Sequence, residues 1–394
     1  MKSINKELND LKLGGRSPLR IVFWGTYDTG KPRNRIFLKG LRENGIEVLE
    51  CHENVWRGIE DKSQVDSWSD RFYFLVRWLK SYPILIWKYL KMRDHDAAIV
   101  GYLGHLDVLV LWPFANMRRK PVIWDAFISL HDTLVDDRQL LGRRNPFAFF
   151  LYLWEWLACR ACSLLILDTE AHGRLFMEKY KVKRSKVCRV FVGAEADVFK
   201  RRSRPVPKSR AFNVLFYGQF IPLHGIATII ESAILLKHED IDWVLIGKGQ
   251  DEPKIMKMLD ATPLPRVRWI PWVQYNELID WIEKADVGLG IFSSSKKAGN
   301  VIPNKVFQML AAGLPLITRD SVAIRELVTD DDPGIILVPP EDAVELANAV
   351  KKMRCDLSRM KTEGDYHRAI RPLITEFGIG RQMVEVLEYG LERA

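Results

Sequence analysis

Short apolar, β-branched runs alternate with longer amphipathic stretches from one end of the chain to the other. In the first half the strand candidates are LRIVFWG (19–25), IEVLECH (46–52), AAIVGY (97–102), PVIWDA (121–126), SLLILDT (163–169) and VCRVFVG (187–193). In the second half they are NVLFYGQ (213–219), DWVLIG (242–247), VRWIP (267–271), DVGLGIF (286–292), LPLIT (314–318) and GIILVPP (334–340). Segments of helical length lie between them, among them ATIIESAILLKH (227–238), YNELIDWIEKA (275–285) and AVELANAVKKM (343–353). Strands that are apolar on both faces, each followed by a helix, predict parallel sheets covered on both sides. Right-handed crossovers then give doubly wound α/β layers.

One break interrupts this alternation. Residues 200–210, KRRSRPVPKSR, are basic, contain two prolines and have no apolar period, so they read as a linker. The expected organisation is a leader (1–18), a first Rossmann-like domain (19–199), the linker (200–210), a second Rossmann-like domain (211–375) and a C-terminal helix (376–394). Two such domains bind ligand where the carboxyl ends of their strands face each other across a cleft.

Composition adds constraints. The 394 residues suit two domains, and a hydrophobic fraction of 47% with 28% charged residues excludes global disorder. A formal net charge of +9 favours an anionic partner: a phosphorylated substrate, an acidic lipid surface or nucleic acid. Nucleic acid ranks last, because no basic stripe carries a reading motif. Five scattered cysteines fit a reducing compartment and not a disulfide framework. Cys159 and Cys162 form a C-x-x-C inside an apolar helical stretch; no second Cys or His pair completes a zinc site, and small helix-packing residues explain them better. The first 18 residues lack the apolar region of a secretory signal. PFAFFLYLWEWLACRACSLLIL is interrupted by Glu155 and Arg160, so no membrane span is expected. These features point to a cytoplasmic protein.

Four loops at strand ends in the second half carry the candidate chemistry. GQFIPLHG (218–225) places Gln219, His224 and Gly225 at a helix start, where free N–H groups and the helix dipole favour an anion. GKGQ (247–250) repeats the device with Gly247 and Lys248. Trp272 and Val273 follow the third strand, placed either to hold a nucleobase or to pack in the core. In SSSKKAGNVIPNKVFQMLAAGLPLI (293–317), Pro303 suits a first helical turn, and Gly299 to Ile302 form a loop with amides towards the crevice. Asn304 and Gln308 share one helix face, with Val301 and Ile302 just before it and Lys296, Lys297 and Lys305 around it. An ordinary capped helix with a solvated lysine face is the plain alternative.

In this order, G-x-F-x-P-x-x-G, L-I-G-x-G, P-W-V and P-N-K-V-F-x-x-L-A-A-G-x-P-L-I, the second half resembles the donor half of glycosyltransferase family 4. VFVGAEADVF (190–199) is similar to that family's interdomain segment. The resemblance implies the GT-B fold and a metal-independent, retaining transfer from a nucleoside-diphosphate sugar. Members carry an Arg and a Lys in the first loop, where this chain has Gln219 and His224. They also carry two glutamates with seven residues between them, matched here by Asn300 and Gln308. An amide oxygen at Gln308 can still accept from a ribose hydroxyl, and Asn300 stands where the sugar is touched. These differences leave a second reading open, a nucleotide-sugar-binding protein with impaired turnover.

In the first half, FWGTYDTGKPRNR (23–35) opens a helix after the first strand. Gly25 frees its backbone, and Lys31, Arg33 and Arg35 crowd it with positive charge, either for the donor diphosphate or as a solvated turn. After the fourth strand, Asp125 and His131 are the titratable candidates for catalysis, with Phe127 where the family often has a His. Gly104, His105, Glu170 and His172 stand at other strand ends. In residues 68–93 a stripe at 68, 72, 75, 79, 82 and 86 is apolar, Pro83 divides the segment, and six basic residues oppose Asp70. Such a helix suits an anionic membrane interface as well as a core, and would bring a polyprenyl-linked or other glycan acceptor to the cleft from the inner membrane face.

Overall fold

The computed structural model describes residues 19–57, 68–201, 211–329, 331–359 and 366–393. The expected leader and residues 202–210 of the expected linker lie outside them. The first half runs β1 (Arg20–Gly25), α1 (Pro32–Glu43), β2 (Glu47–His52), α2 (Trp68–Lys91), β3 (Ala97–Val100), α3 (His105–Met117) and β4 (Val122–Asp125). A π-helical turn (Asp132–Asp137) leads to α4 (Pro146–Ala161), β5 (Leu164–Leu167), α5 (Glu170–Tyr180) and β6 (Val187–Arg189). The second half runs β7 (Phe212–Tyr217), α6 (Ile226–Leu235), β8 (Ile241–Ile246), α7 (Glu252–Ala261), β9 (Val267–Ile270), α8 (Leu278–Lys284) and β10 (Val287–Leu289). It continues through α9 (Lys296–Asn300), α10 (Asn304–Ala312), β11 (Leu316–Arg319), β12 (Ile335–Val338), α11 (Ala343–Arg359), α12 (Arg371–Ile374) and α13 (Glu376–Leu391).

Every strand pairing is parallel, in two six-stranded sheets of order β2-β1-β3-β4-β5-β6 and β12-β11-β10-β7-β8-β9. Central strands such as β3, β4, β5, β10 and β11 are buried along their whole length, as their continuous apolar runs suggest, whereas the edge strands β2, β9 and β12 are only partly buried. The chain order reverses between β1 and β3 in one sheet and between β7 and β10 in the other. Crevices open at the carboxyl ends of strands at these two switch points. This is the GT-B arrangement of two Rossmann-like halves across a cleft. Apolar packing continues between the halves, where the Phe191 and Phe307 rings lie 6.1 Å apart.

The last helix crosses back. In sequence α13 follows the second sheet, yet it packs along α1 of the first, with Ile379, Met383 and Leu387 fully buried. Gly40 and Gly380 sit at that crossing, where a Cβ on either would strike the backbone of the other helix. The Thr375 hydroxyl caps α13 by accepting from the Gly378 N–H at 3.1 Å.

One expectation for residues 68–93 is corrected. Pro83 does not divide the segment: α2 runs through it, with the ring on the exposed side, where no neighbouring element contests the space. The face turned to the core is Tyr82, Leu85 and Tyr89, whereas Phe72, Leu75 and Leu79 of the expected stripe are exposed. Among the described side chains of α2, the buried ones all lie in its second half.

Candidate functional site

The two switch points face each other, and between them lies a cleft of about 430 Å3. Its second-half wall starts where β7 ends. Gly218 and Gly247 take positive φ angles of +142° and +145°, and a Cβ on Gly247 would collide with the Gly218 carbonyl. Gly225 (φ +65°) caps α6 in the left-handed region, and a Cβ there would come within 2.6 Å of the Ser293 nitrogen. The loops after β7, β8 and β10 thus approach backbone to backbone, and the glycines expected to admit a phosphate are required first by the protein's own packing.

The same wall continues through α9 and α10. The Ser295 hydroxyl caps α9, accepting from Ala298 N at 3.2 Å, and Val301, Ile302 and Pro303 carry the chain to α10 along the cleft. Gln308 faces the cleft from α10 and accepts from the Tyr217 hydroxyl at 3.0 Å. Its amide nitrogen reaches the Tyr275 hydroxyl at 3.4 Å, and that hydroxyl donates to Glu195 at 2.8 Å. Glu195 in turn takes both guanidinium bonds of Arg35 at 2.7 and 2.8 Å. This chain of contacts ties the floor of the cleft to α1 of the first half.

The first-half wall presents Tyr102, Phe127, Thr133, Asp137, Arg138 and the pair Asp168–His172, whose atoms stand 2.6 Å apart. Clasps cross the cleft mouth. Arg138 donates to Gln219 at 3.2 Å, and Gln250 donates to the Arg138 carbonyl at 3.1 Å. Lys297 donates to Thr133 at 2.7 Å, with Asp132 and Asp137 3.6 and 3.7 Å away. Burial raises the Asp137 carboxyl above the usual range, and Lys297 works against that rise. The Thr169 hydroxyl donates to the Asn300 carbonyl, and Glu326 accepts from the N–H groups of Glu170 and Ala171 at 2.7 and 2.8 Å.

Six of the residues expected to bind the donor therefore line one cleft: Gln219, His224, Lys297, Val301, Ile302 and Gln308. Others stand elsewhere. Arg33 is 1% exposed and locked to Asp125 by bonds of 2.7 to 3.0 Å, between the rings of Phe37 and Phe127. That pair lies behind Phe127, so neither its guanidinium nor its carboxylate meets the cleft. Gly25 is a glycine because a Cβ would strike the Asp107 carboxylate, which is itself bound by Thr26 and Tyr82. Lys31 lies 3.6 Å from Asp28. His131 stands 3.7 Å from Asp136 and edge-on to Tyr152, outside the cleft lining, and burial with Lys179 nearby lowers its pKa. Lys248 is exposed beyond the cleft, and Val273 is half-buried against the interdomain core.

The charge of the site departs from expectation. His224 is 7% exposed; burial and the adjacent Lys305 hold its pKa well below the usual histidine range. Its Nδ1–H donates to the Gln219 carbonyl, so it is a neutral ring and not a phosphate-binding cation. Arg138, Tyr217, Tyr275 and Asp168 were not singled out in the sequence. None belongs to a motif, and only the facing of the two sheets brings them together. Among the described residues, no group of three or more His, Cys, Asp or Glu side chains is placed to hold a metal ion, and the five cysteines are unpaired. No helix among them is long and apolar enough to cross a membrane.

Residues 211–356 match the family model of glycosyl transferases group 1. Two curated relatives match over shorter stretches. The putative colanic acid biosynthesis glycosyl transferase WcaI of Escherichia coli is 25% identical over 171 residues, 43% of this chain and 42% of that protein. A chitobiosyldiphosphodolichol beta-mannosyltransferase of Yarrowia lipolytica is 27% identical over 109 residues, 27% of this chain and 22% of that protein. The matches thus span less than half the length of these relatives. Solved structures agree over nearly the whole chain. Anabaena HepE in complex with UDP aligns with a TM-score of 0.62 at 13% identity, covering 94% of this chain and 100% of that one. Sucrose-phosphate synthase from Thermosynechococcus elongatus aligns at 0.68 and 15% identity, covering 96% and 100%. A further HepE structure contains UDP-glucose.

Proposed function

We propose that this protein is a glycosyltransferase that moves a hexose-type sugar from a nucleoside-diphosphate sugar to a glycan or lipid-linked acceptor, with retention at the anomeric carbon. One observation carries the reading. The cleft stands at the switch points of two facing Rossmann-like sheets, and its second wall is built from the segment that matches glycosyl transferases group 1. In this reading the nucleotide lies along α10, with a ribose hydroxyl on the Gln308 amide oxygen. The base lies towards Trp272 and Val273, and the diphosphate faces the loop from Gly299 to Ile302. The UDP and UDP-glucose bound to HepE make uridine donors the first to test.

The chemistry asks little acid–base work of the side chains. The bond from the anomeric carbon to the leaving phosphate oxygen breaks, the acceptor oxygen bonds to the same face, and the leaving phosphate takes the acceptor proton. The chain's part is to hold both substrates and to stabilise charge on the leaving diphosphate. No metal takes part in this scheme. The first-half wall would receive the acceptor, where Asp168 and His172 are the polar groups in reach. The exposed, basic and aromatic face of α2 would rest on an anionic membrane at the cytoplasmic side and deliver a polyprenyl-linked acceptor.

Incubation with a panel of nucleotide sugars and analysis of released nucleoside diphosphate tests this reading. Release, accelerated by a glycan or lipid-phosphate acceptor, is expected. The amides at Asn300 and Gln308 favour the second reading, a binder without turnover. Nucleotide binding with neither hydrolysis nor transfer across the panel would establish that binder and end the enzyme reading.

A further inference from the structure

Among the described residues, the cleft contains one lysine without a hydrogen-bond partner. Lys305, the second residue of α10, is 5% exposed, and its Nζ makes no hydrogen bond to any of them. It lies 3.8 Å from the centre of the Phe216 ring and so close to Gly218 that a Cβ there would stand 2.9 Å from it. A buried cation with no counter-ion is costly unless a ligand supplies the partner. The first loop therefore carries no cation of its own, because Gln219 is an amide and His224 is neutral. The lysine reaches the same spot from the next wall.

Resting on the glycosyltransferase reading, we propose that Lys305 is the cation that meets the diphosphate of the donor. In the cleft the side chain lies over Phe216, and its burial favours the neutral amine. When a diphosphate enters beside Gly218, rotation of the flexible stem brings Nζ onto a phosphate oxygen, and the amine takes up a proton. Gly218 leaves the room for this swing that any side chain would fill. Burial alone lowers the Lys305 pKa well below the usual lysine value.

The titratable groups around it agree with that assignment. His224 from the first loop is neutral, and Arg138 from the first-half wall is a cation. On α9, Lys297 is occupied by Thr133, Asp132 and Asp137, and across the cleft Asp168 is bound to His172. No hydrogen bond or ion pair ties any of these carboxylates to Lys305, so none of them competes with the incoming anion there.

Calorimetry on the intact chain reads the proton directly. Binding of UDP, GDP or ADP, measured in two buffers of different ionisation enthalpy above about pH 7, where the phosphates are fully ionised, should take up close to one proton per nucleotide. In Lys305→Met the uptake should vanish and the affinity fall about ten- to a hundred-fold, while affinity for the matching nucleoside stays unchanged. Wild-type binding without proton uptake would overturn the proposal even if the variant fails to fold. So would Lys305→Met binding as tightly as wild type, and both outcomes leave the glycosyltransferase reading standing. Conversely, wild type that takes up inorganic pyrophosphate with a proton but binds no nucleotide keeps the lysine site and ends that reading. A wild type that binds neither overturns both.

Discussion

At the scale of single residues, the site trades stability for ligand affinity, and the trade can be measured. The unfolded chain binds a proton at Lys305 up to about pH 10.4, whereas the folded protein releases it at lower pH. Between those values the unfolded state holds more protons, so stability rises with pH, by up to about 1.4 kcal/mol per unit. Lys305→Met should remove that slope and raise the melting temperature near neutral pH, since an apolar chain of similar length replaces an unpartnered amine. Denaturant titrations at several pH values check it; an unchanged slope would show that Lys305 is ionised in the folded protein. Gln308→Ala should weaken nucleoside diphosphate binding about tenfold, the worth of a hydrogen bond to a ribose hydroxyl, and the orphaned Tyr217 should lower stability besides. Unchanged affinity would place the nucleotide elsewhere than along α10. Sequence motifs pointed to Gln308 because its face of the helix follows from spacing alone. They could not show that Lys305 has no partner among the described residues or that burial disfavours charge on His224, because both facts depend on packing between loops distant in the chain. Arg33 illustrates the same limit: its place at a helix start suggests a phosphate ligand, and only the fold brings Asp125 beside it.

At the scale of elements, the twelve described strands were legible, most plainly the central ones, because a parallel strand buried on both faces leaves an unbroken apolar run. The helices were legible as lengths and less so as faces. The α2 stripe was legible as an apolar face, but periodicity does not report what covers it. The partner of α13 was likewise hidden, since the two glycines that let it cross α1 are about 340 residues apart in the chain and carry no local signal. That crossing makes a sharp prediction. Gly380→Leu inserts a side chain where even a Cβ meets the Gly40 backbone, and should destabilise the first half by about 1–3 kcal/mol or more. The matching change at Gly390, where a Cβ meets only the end of the Leu164 side chain at 3.0 Å, should cost less. Equal melting temperatures for the two variants would contradict the helix crossing described above.

At the scale of the whole molecule, the first domain carries, besides its share of the cleft, an apolar and basic layer whose residues do not line that cleft. The layer is larger than the single helix that the sequence suggested. On α2, Phe72, Tyr73, Leu79 and Trp87 are exposed; neighbouring α3 adds Trp112 and Met117, and α4 adds Phe147, Phe149 and Phe150. Exposed aromatic side chains in such number exceed what a solvated surface needs. Cations frame them, with Lys91 4.0 Å over Trp87 and Arg160 3.4 Å over Trp156. If this layer is the membrane face of the proposal, affinity has two separable parts. Aromatic burial should persist in high salt, while the charge contribution should fade as the Debye length shrinks from about 10 Å at 0.1 M to about 3 Å at 1 M. Flotation on vesicles of neutral and anionic lipid separates them. Wild type should float with anionic vesicles at low salt, and Trp87→Ser with Phe150→Ser should lose most of that binding without changing nucleotide affinity, because neither residue lines the cleft. Absence of wild-type flotation at low salt would remove the membrane from the proposal and leave the cleft chemistry as it stands.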